Sequence, residues 1–380
     1  MSITSFRYLS ITVILWLLVI GTVTGQKFNF KHLTTGEGLS SNEVRAVFED
    51  SNGFVWFATS DGLNRWDGYK FVVFKNYNND ENSLSTNSLL CIAEDGDKNI
   101  WIGTNHGGVV RYSTADEKFY RYAMVEKDPS SLPGSVVRCI YIDSNKAVWI
   151  GTHSGLAKYE KGKNNFKQFI FSREPNARYD IRGIFQRNTK ELIIQSDKGF
   201  FKLNLATETI EPMEFYAPGL KKELFSYNNP VCFDSRGYLW IGSTSGLYKL
   251  NLSTGESKIY QFDNTTGKSI NSNSFSVIFE DSKRNLWIGT ENKGVRLYNP
   301  ETDTFTSYSS GPVKSNSICN NIISNIYEDH NANVWFSTLE GGVSFFSYND
   351  QFKYYYNDPL NVNSISSNKV GAFYEDRKGD

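Results

Sequence analysis

The chain of 380 residues is 39% hydrophobic and 15% aromatic, which is enough apolar material for a large packed core. Its 40 Lys and Arg residues balance 41 Asp and Glu residues, giving a formal net charge of -1 at pH 7. Nucleic acids and anionic membrane surfaces select basic faces, so this balance argues against both as partners.

The first predicted element in chain order is a signal peptide over residues 1–25. A single positive charge, Arg7, precedes an apolar run over residues 8–20, and small residues follow with Val23 and Gly25 placed as in a cleavage signal. The apolar run is shorter than the roughly 20 residues that a membrane span needs. We therefore expect export with cleavage near Gly25, with an uncleaved N-terminal anchor as the alternative.

After the predicted signal peptide, the sequence repeats itself about every 47 residues. The stretch "EDSNGFVWFATSDGL" returns as "EDGDKNIWIGTNHGGV", "EDSKRNLWIGTENKGV" and "EDHNANVWFSTLEGGV". A divergent copy, "RNTKELIIQSDKGFFKL", carries Ile193 where the other six copies carry a tryptophan. Those tryptophans are Trp56, Trp101, Trp149, Trp240, Trp287 and Trp335. A period of this length indicates a stacked array or a propeller.

Each copy has the pattern of four short strands. In the first copy, "EVRAVFED" alternates apolar residues, "DSNG" is a turn, and "FVWFATS", "GLNRWDG" and "KFVVFKN" supply three further strands. A helical solenoid would need apolar residues three and four apart, which these repeats lack. The sequence therefore predicts an all-β fold, a seven-bladed β-propeller of four-stranded blades over residues 26–364. Residues 365–380 repeat the start of a blade, and we expect them to open an eighth blade or a second propeller.

The recurring residues of each copy are predicted to be structural. The tryptophan fills the wedge between blades, the glycine two residues later permits a close approach, and the aspartate six residues earlier holds the first hairpin turn. The glutamates that recur beside that aspartate are interpreted in the same way. Cys91 and Cys139 share a slot with Ala46 and Gly183 in other copies. We expect these cysteines to be small packing residues rather than disulfide partners.

Three stretches carry a resemblance to a known family: "SLSTNSLLCIAEDGDKNIWIGT", "SINSNSFSVIFEDSKRNLWIGT" and "GLSSNEVRAVFEDSNGFVWFAT". They resemble the two-component regulator propeller repeat, and the resemblance covers nearly all of residues 28–380. The fourth copy departs most, because it lacks the Trp, the Gly and the Asp. The family is best known as the periplasmic sensor region of hybrid two-component systems of Bacteroides-like bacteria, whose typical ligands are oligosaccharides.

The candidate ligand-binding residues depart from the repeat and are predicted to lie on the face that carries the long loops. The slot eleven residues before the tryptophan holds Arg45, Arg138 and Arg182 at the start of innermost strands. These arginines predict an arc that receives an acidic or sulfated sugar, with solvated channel lining as the alternative. Tyr179 and Tyr227, at the entries to the fourth and fifth copies, are candidates for stacking on a sugar ring.

His106 and His153 lie in the predicted loops between second and third strands of adjacent blades. They are candidate polar contacts to a ligand. No His/Cys/Asp cluster in the sequence has the spacing of a metal site, so neither a metal nor a cofactor is predicted.

These features predict a periplasmic ligand-sensing module, with an oligosaccharide as ligand and a homodimer as a candidate assembly. The resemblance implies an intact protein that is a histidine kinase anchored in the inner membrane through a region beyond this stretch, with no catalysis in these residues. The alternatives are an exported propeller enzyme (a lyase, a glycosidase or a quinone-dependent dehydrogenase) and a protein-interaction scaffold. An enzyme would need one-off acid, base or metal residues that converge on the axis, and the sequence offers no convincing set.

Overall fold

The computed structural model describes residues 28–172, 177–213, 229–261, 274–311 and 317–349, with a few isolated positions after residue 349. The regular elements in these segments are all β-strands, and they form seven antiparallel sheets of four strands each. These sheets are the blades of a propeller ring, which confirms the predicted fold class. The predicted signal peptide lies outside the described residues. Most of residues 365–380, the predicted start of a further blade, also lie outside them.

The first strand of the chain, β1 (Lys31–Leu33), is followed by blades built from consecutive strands. Blade 1 contains β2 (Val44–Glu49), β3 (Val55–Thr59), β4 (Gly62–Trp66) and β5 (Phe71–Phe74). Blade 2 contains β6 (Leu89–Glu94), β7 (Ile100–Thr104), β8 (Val109–Ser113) and β9 (Lys118–Tyr122). Blade 3 contains β10 (Val137–Ile142), β11 (Val148–Thr152), β12 (Gly155–Glu160) and β13 (Asn165–Phe169).

The second half of the ring follows the same order. Blade 4 contains β14 (Ile181–Asn188), β15 (Glu191–Ser196), β16 (Gly199–Asn204) and β17 (Ile210–Met213). Blade 5 contains β18 (Val231–Phe233), β19 (Tyr238–Ser243), β20 (Gly246–Asn251) and β21 (Ser257–Tyr260). Blade 6 contains β22 (Phe275–Glu280), β23 (Leu286–Thr290), β24 (Val295–Asn299) and β25 (Thr304–Tyr308). Blade 7 takes β26 (Ile323–Glu328), β27 (Asn333–Thr338) and β28 (Val343–Ser347) from this end of the chain.

The ring closes with seven blades because β1 supplies the outer strand of blade 7. It pairs antiparallel with β28, Lys31 opposite Phe345 and Leu33 opposite Val343. Phe28, just before β1, stacks on Phe346 at a ring-centroid distance of 4.0 Å. The first strands of neighbouring blades contact one another around the ring, including β2 with β26, so the first strands lie nearest the axis.

The tryptophan of each repeat fills the space between its own blade and the next, as predicted. All six are at most 1% exposed. Trp287 of blade 6, for example, packs against Phe336 and Phe346 of blade 7, with ring centroids 5.2 and 5.7 Å away. The divergent fourth copy has Ile193 at this position. Its side chain is 2% exposed, so the space between the blades is still filled by an apolar residue.

One carboxylate in each of these six copies joins the hairpin turn to the wedge. Asp50 accepts the backbone N–H groups of Asn52 and Phe54 on Oδ1, at 2.9 and 3.0 Å. Its Oδ2 accepts the indole N–H of Trp56 at 2.7 Å. The same Asp-to-Trp bond, 2.7 to 2.9 Å long, recurs in the other copies that carry a tryptophan. The predicted turn role of the aspartate is confirmed, and the bond to the indole is an addition that the sequence analysis missed.

The glycine two residues after the tryptophan lies on the second strand and leaves room for side chains from the first strand of its own blade and from that of the next blade, such as Val137 beside Gly103 and Ile181 beside Gly151. A Cβ at Gly103 would lie 2.3 Å from Cys91 Sγ, and a Cβ at Gly151 would lie 2.5 Å from Cys139 Sγ. Both cysteines, together with Cys232 and Cys319, are free thiols. The prediction of small packing residues without a disulfide between them is confirmed.

The recurring glutamates join four of the seven blades to the preceding blade. Glu94 of blade 2 accepts the backbone N–H and the hydroxyl of Ser51 in blade 1, at 2.9 and 2.8 Å. Equivalent pairs join blades 5 and 6 through Ser235 and Glu280, and blades 6 and 7 through Ser282 and Glu328. At the closing junction the donor is His330, whose backbone N–H and ring contact Glu49 of blade 1.

We predict that Trp287→Ala lowers the free energy of unfolding by about 3 kcal/mol or more, because it opens a cavity between blades 6 and 7 and removes the indole hydrogen bond to Asp281 Oδ2. Urea melts of the exported domain measure this change. Tyr69→Ala is the control, because that ring is 97% exposed and its loss should shift the midpoint little. Trp16→Ala, within the predicted signal peptide, should leave the mature domain unchanged. An unaltered midpoint for Trp287→Ala would contradict the wedge assignment.

We also predict that the cysteines resist thiol reagents in the folded state. Burial raises the pKa of Cys139 and of Cys232 to about 12, and raises the pKa of Cys91 further. The reactive thiolate is therefore scarce at neutral pH. A colorimetric thiol assay should detect four free thiols per chain in denaturant and almost none in native buffer. Detection of only two thiols in denaturant, without added reductant, would reveal a disulfide.

Candidate ligand-binding site

The long loops and the loops between second and third strands share one face of the ring. Gly108, in such a second loop of blade 2, donates its backbone N–H to Ser135 in the connector that enters blade 3, at 2.9 Å. Gly294 and Asn321 repeat this bond between blades 6 and 7 at 3.0 Å. The aspartate turns lie at the opposite ends of the strands. The long-loop face therefore combines rigid strand ends with variable connectors, the usual setting for binding residues.

The slot that holds the candidate arginines is a β-bulge. In six of the seven blades the register between the first and second strands shifts at this slot. A bulge leaves its extra residue outside the ladder and changes the direction of its side chain. Each first strand therefore presents one unpaired residue beside the axis: Arg45, Leu90, Arg138, Arg182, Ser276 and Ser324. Asn229, which holds the slot in blade 5, precedes β18.

Arg138 and Arg182 meet at one carboxylate. Asp180 Oδ2 lies 2.5 Å from Nη2 of Arg182, and its Oδ1 lies 3.4 Å from Nε of Arg138. Asp180 is itself held by Asp197, whose Oδ1 accepts the Asp180 backbone N–H at 2.9 Å. The structure thus brings together the arginines of blades 3 and 4 around a fixed anion.

The reason for this sharing is a difference two residues before the bulge. Blade 1 carries Glu43 in that position, and Glu43 pairs with Arg45 of its own strand. Blade 4 carries Asp180 there, but blade 3 carries Val136. Arg138 therefore has no carboxylate at this position of its own blade and contacts the one in the next blade. Two guanidinium groups consequently share one carboxylate as their direct partner, and Asp197 behind it is a second carboxylate within electrostatic range of Arg182.

The pair retains unused hydrogen-bond donors. Among the described residues, the buried Nε atoms of Arg138 and Arg182 have no hydrogen-bond partner. Burial lowers the pKa of Arg182, and the neighbouring Arg138 acts in the same direction, while Asp180 and Asp197 oppose both. The Nε atoms are buried, so a second anion would have to bind the Nη groups of these side chains, which are 34% and 24% exposed.

Arg45 does not join this pair in the same way. It binds Glu43 within blade 1, and the bulge between it and Arg138 in ring order carries Leu90 of blade 2. The predicted arc is therefore a bridged pair in blades 3 and 4 together with a separate ion pair in blade 1.

The aromatic and histidine candidates make structural contacts. Tyr179 stacks on Phe171 at 4.9 Å, meets Phe201 edge-on at 5.5 Å, and lies under the ammonium of Lys198 at 4.4 Å. The ring of Tyr179 thus already packs against neighbours within the protein. Its stacking on a sugar stays a prediction. Tyr227 lies outside the described residues.

His153 fixes the connector that enters its own blade. Its Nδ1 accepts the backbone N–H of Val136 at 3.2 Å, and its backbone N–H donates to Val136 O at 3.0 Å. His106 is exposed in a left-handed conformation with φ of 74°. Ligand contact by either histidine stays a prediction.

A cavity of about 420 Å³ lies on the connector between blades 2 and 3. Its lining combines apolar residues with four polar or charged ones, which are Glu126, Lys127, Asp128 and Gln168. The same connector leads into β10, which carries Arg138. Within the described part of the chain, no group of three or more His, Cys, Asp or Glu side chains is arranged to hold a metal ion. The described residues also include no helix with the length and apolarity of a membrane span.

Comparison with known sequences identifies the repeats. The profile of the family described as Two component regulator propeller matches residues 38–61, 83–106, 131–154 and 269–292. Four of the seven copies therefore carry the two component regulator propeller repeat. A stretch of 58 residues is 40% identical to the protein named Histidine kinase P4 of Formosa agariphila, and it covers 15% of this chain and 4% of that protein.

Comparison with solved structures finds the same fold in extracellular domains from B. thetaiotaomicron. That of a protein described as a hybrid two component system is 24% identical, with a TM-score of 0.68, and the match covers 84% of this chain and 42% of that one. That of a protein described as a one component system is 22% identical, with a TM-score of 0.65, and the match covers 84% and 40%.

The fold also occurs in an enzyme. An inactive variant of virginiamycin B lyase from Staphylococcus aureus is 13% identical, with a TM-score of 0.59, and the match covers 84% of this chain and 99% of that one. At these identities the likenesses establish the architecture alone. This chain spans less than half the length of the two extracellular domains described above.

We predict that Asp180→Asn destabilises the propeller by roughly 1–3 kcal/mol, because two part-buried guanidinium groups lose their common counter-ion. Glu43→Gln is the matched control, since it removes the carboxylate from the same slot of blade 1, where the single partner Arg45 is 40% exposed. That change should cost well under 1 kcal/mol. Urea melts of both variants test the difference, and equal midpoints would show that Asp180 is not a shared counter-ion.

Proposed function

We propose that this chain is the extracytoplasmic ligand-sensing region of a two-component sensor, and that its ligand is an oligosaccharide that carries carboxylate or sulfate groups. Its repeats and its likeness to extracellular domains of such systems support the sensor role. The Arg138–Asp180–Arg182 cluster is the observation that carries the acidic ligand.

The chemistry of the cluster fits a sugar acid. A guanidinium group binds a carboxylate or sulfate through parallel N–H···O bonds, and two guanidinium groups on one carboxylate keep donors free for a second anion. The cavity beside the connector that leads to Arg138 offers space for a neighbouring ring, with apolar side chains and the amide of Gln168 among its lining, and its volume lies in the range typical of ligand pockets. A ligand that spans both would contact blades 2, 3 and 4.

The sensor role places this region outside the cytoplasm. The N-terminal stretch with the pattern of a signal peptide supports export, and the similarity of a short stretch to a histidine kinase supports a kinase as the recipient of the signal. In this proposal the kinase belongs to another part of the intact receptor, which is anchored in the inner membrane. These residues themselves bind the ligand and perform no chemistry on it.

We predict that the double change Arg138→Ala and Arg182→Ala weakens binding of an acidic oligosaccharide by about a hundredfold or more. Two charge-assisted hydrogen bonds, each worth roughly 1.5–3 kcal/mol, are lost together. Isothermal titration calorimetry of the exported domain measures this effect against a panel of uronic-acid, sulfated and neutral oligosaccharides. Arg284→Ala is the control, because Arg284 is exposed in a turn on the opposite face.

The competing interpretations give different results in the same experiment. If the double variant and the wild type bind an acidic ligand equally well, the arginines only line the channel and do not bind the ligand. A neutral glycan as the one ligand of the panel would move recognition to the long loops and their tyrosines. Cleavage of the oligosaccharide during incubation, detected by mass spectrometry, would identify an enzyme instead.

A further inference from the structure

A second arginine site lies between blades 5 and 6, away from the bulges. Arg296 lies on β24, directly opposite Ile288 of β23 and two residues before Tyr298. Ile288 and Tyr298 belong to the cluster that packs against Trp240 and Leu247 of blade 5. Because residues opposite one another and residues two apart share a face of a sheet, the Arg296 side chain also faces blade 5.

The guanidinium group of Arg296 is buried without a counter-ion among the described residues. The residue is 1% exposed, and its Nε and Nη1 atoms have no hydrogen-bond partner in the described part of the chain. Burial lowers the pKa of this group to about 10, which leaves it positively charged at neutral pH. Blade 6 carboxylates bind other groups: Glu280 holds Ser235, Asp281 holds Trp287, Glu291 holds Ser274, and Asp303 holds Lys258.

The propeller does not need a cation at this position. The equivalent slot, opposite the residue that follows the wedge residue, holds Val110, Ala157, Phe201 and Tyr248 in blades 2 to 5. In blade 1 the slot holds Asn64, which exchanges hydrogen bonds with Ser40 at 2.9 and 2.8 Å. In blade 7 it holds Ser344, which accepts the backbone N–H of Cys319 at 2.8 Å.

These equivalents also locate the slot. Ser40 and Cys319 lie in the connectors that enter blades 1 and 7, and connectors run over the long-loop face. The slot therefore lies at the inner side of that face, between a blade and its predecessor. A polar group here is directed toward the long-loop face rather than toward the turns.

Burying a cation without a counter-ion costs several kcal/mol. This cost is offset when an anion binds beside the cation in the working protein. We propose that Arg296 is the centre of a second anion-binding site, between blades 5 and 6, for a single carboxylate or sulfate group that enters from the long-loop face. The site is independent of the arginine pair in blades 3 and 4. It differs from that pair because no carboxylate of the described residues pairs with Arg296. The site therefore takes any single anionic group that fits beside the guanidinium.

The test compares a parent protein, Arg296→Met and Arg284→Met in thermal melts and calorimetric titrations with sodium sulfate, sodium glucuronate and neutral glucose at fixed ionic strength. All three proteins carry Arg138→Ala and Arg182→Ala, which removes the other proposed anion site, and in this background the parent and Arg284→Met should bind glucuronate or sulfate at one site, gain melting temperature from it, and show no response to glucose. Arg296→Met should bind the anion at least tenfold more weakly and show no site-specific gain. The general stabilisation by sulfate is common to all variants and cancels in the comparison.

Further arms make the outcome decisive. Without the anion, Arg296→Met should be at least as stable as the parent, because it removes an unpaired buried charge and the slot accepts apolar residues in four other blades. Arg296→Lys keeps the positive charge but loses the planar, forked donors of the guanidinium group, and it should bind the anion with intermediate affinity. Because the parent lacks the arginine pair of blades 3 and 4, its binding of the anion separates the inference from the proposed function. Anion binding that persists unchanged in Arg296→Met, or is absent from the parent, overturns the proposal.

Discussion

The hydrogen bond between an aspartate and the indole six residues later is the contact on which the ring depends. It joins the turn between the first and second strands to the ring that fills the space between blades, so one buried carboxylate fixes both the shape of a blade and its packing on the next. Charge-assisted bonds of this kind are strong, and leaving the carboxylate without its partners would be costly. Blade 4 lacks both residues and compensates with Ile193 in the wedge and with an eight-residue first strand.

Because that contact and the close-approach glycine carry the packing, the bulge slot on the same first strand is free to vary. It holds Arg, Leu, Ser or Asn at no cost to the ladder, since a bulged residue is not paired. The slot two residues earlier varies too, and the combination of Val136 with Arg138 is what creates an arginine that needs a carboxylate from the next blade. The arginine pair thus arises from a mismatch of slots in neighbouring blades rather than from one unusual residue.

The sequence was sufficient for the seven repeats, the wedge, the turn and the free cysteines, because each follows from a residue type that recurs at a fixed spacing. It left open whether the ring closes with seven or eight blades, which the pairing of β1 with β28 decides. It was insufficient for Asp180, because its partner Arg138 belongs to another repeat, and a single-repeat alignment does not show which residues meet across blades. Tyr179 was named from its place near a loop, and its packing against Phe171 and Lys198 depends on side chains from one connector and one hairpin. Arg296 was missed because its position looked like an ordinary third strand until the facing side of blade 5 was known.

The fastening of the blades gives the arginine pair a particular mechanical setting. Blades 3 and 4 are joined by Ser144 and Gln186, whose amide oxygen accepts the Ser144 backbone N–H at 2.9 Å. At the two flanking junctions the fastening slot holds Ile142 and Phe233, and Phe233 packs on Phe185 at 5.6 Å in place of a carboxylate contact. The junction between blades 2 and 3 has other directional contacts in place of the carboxylate, because Lys161 pairs with Asp97 at 2.5 Å and Tyr122 donates its hydroxyl to Asn164 at 2.7 Å. The junction between blades 4 and 5 has apolar packing at this slot, so its fastening there is less directional than the contact that joins the blades of the arginine pair.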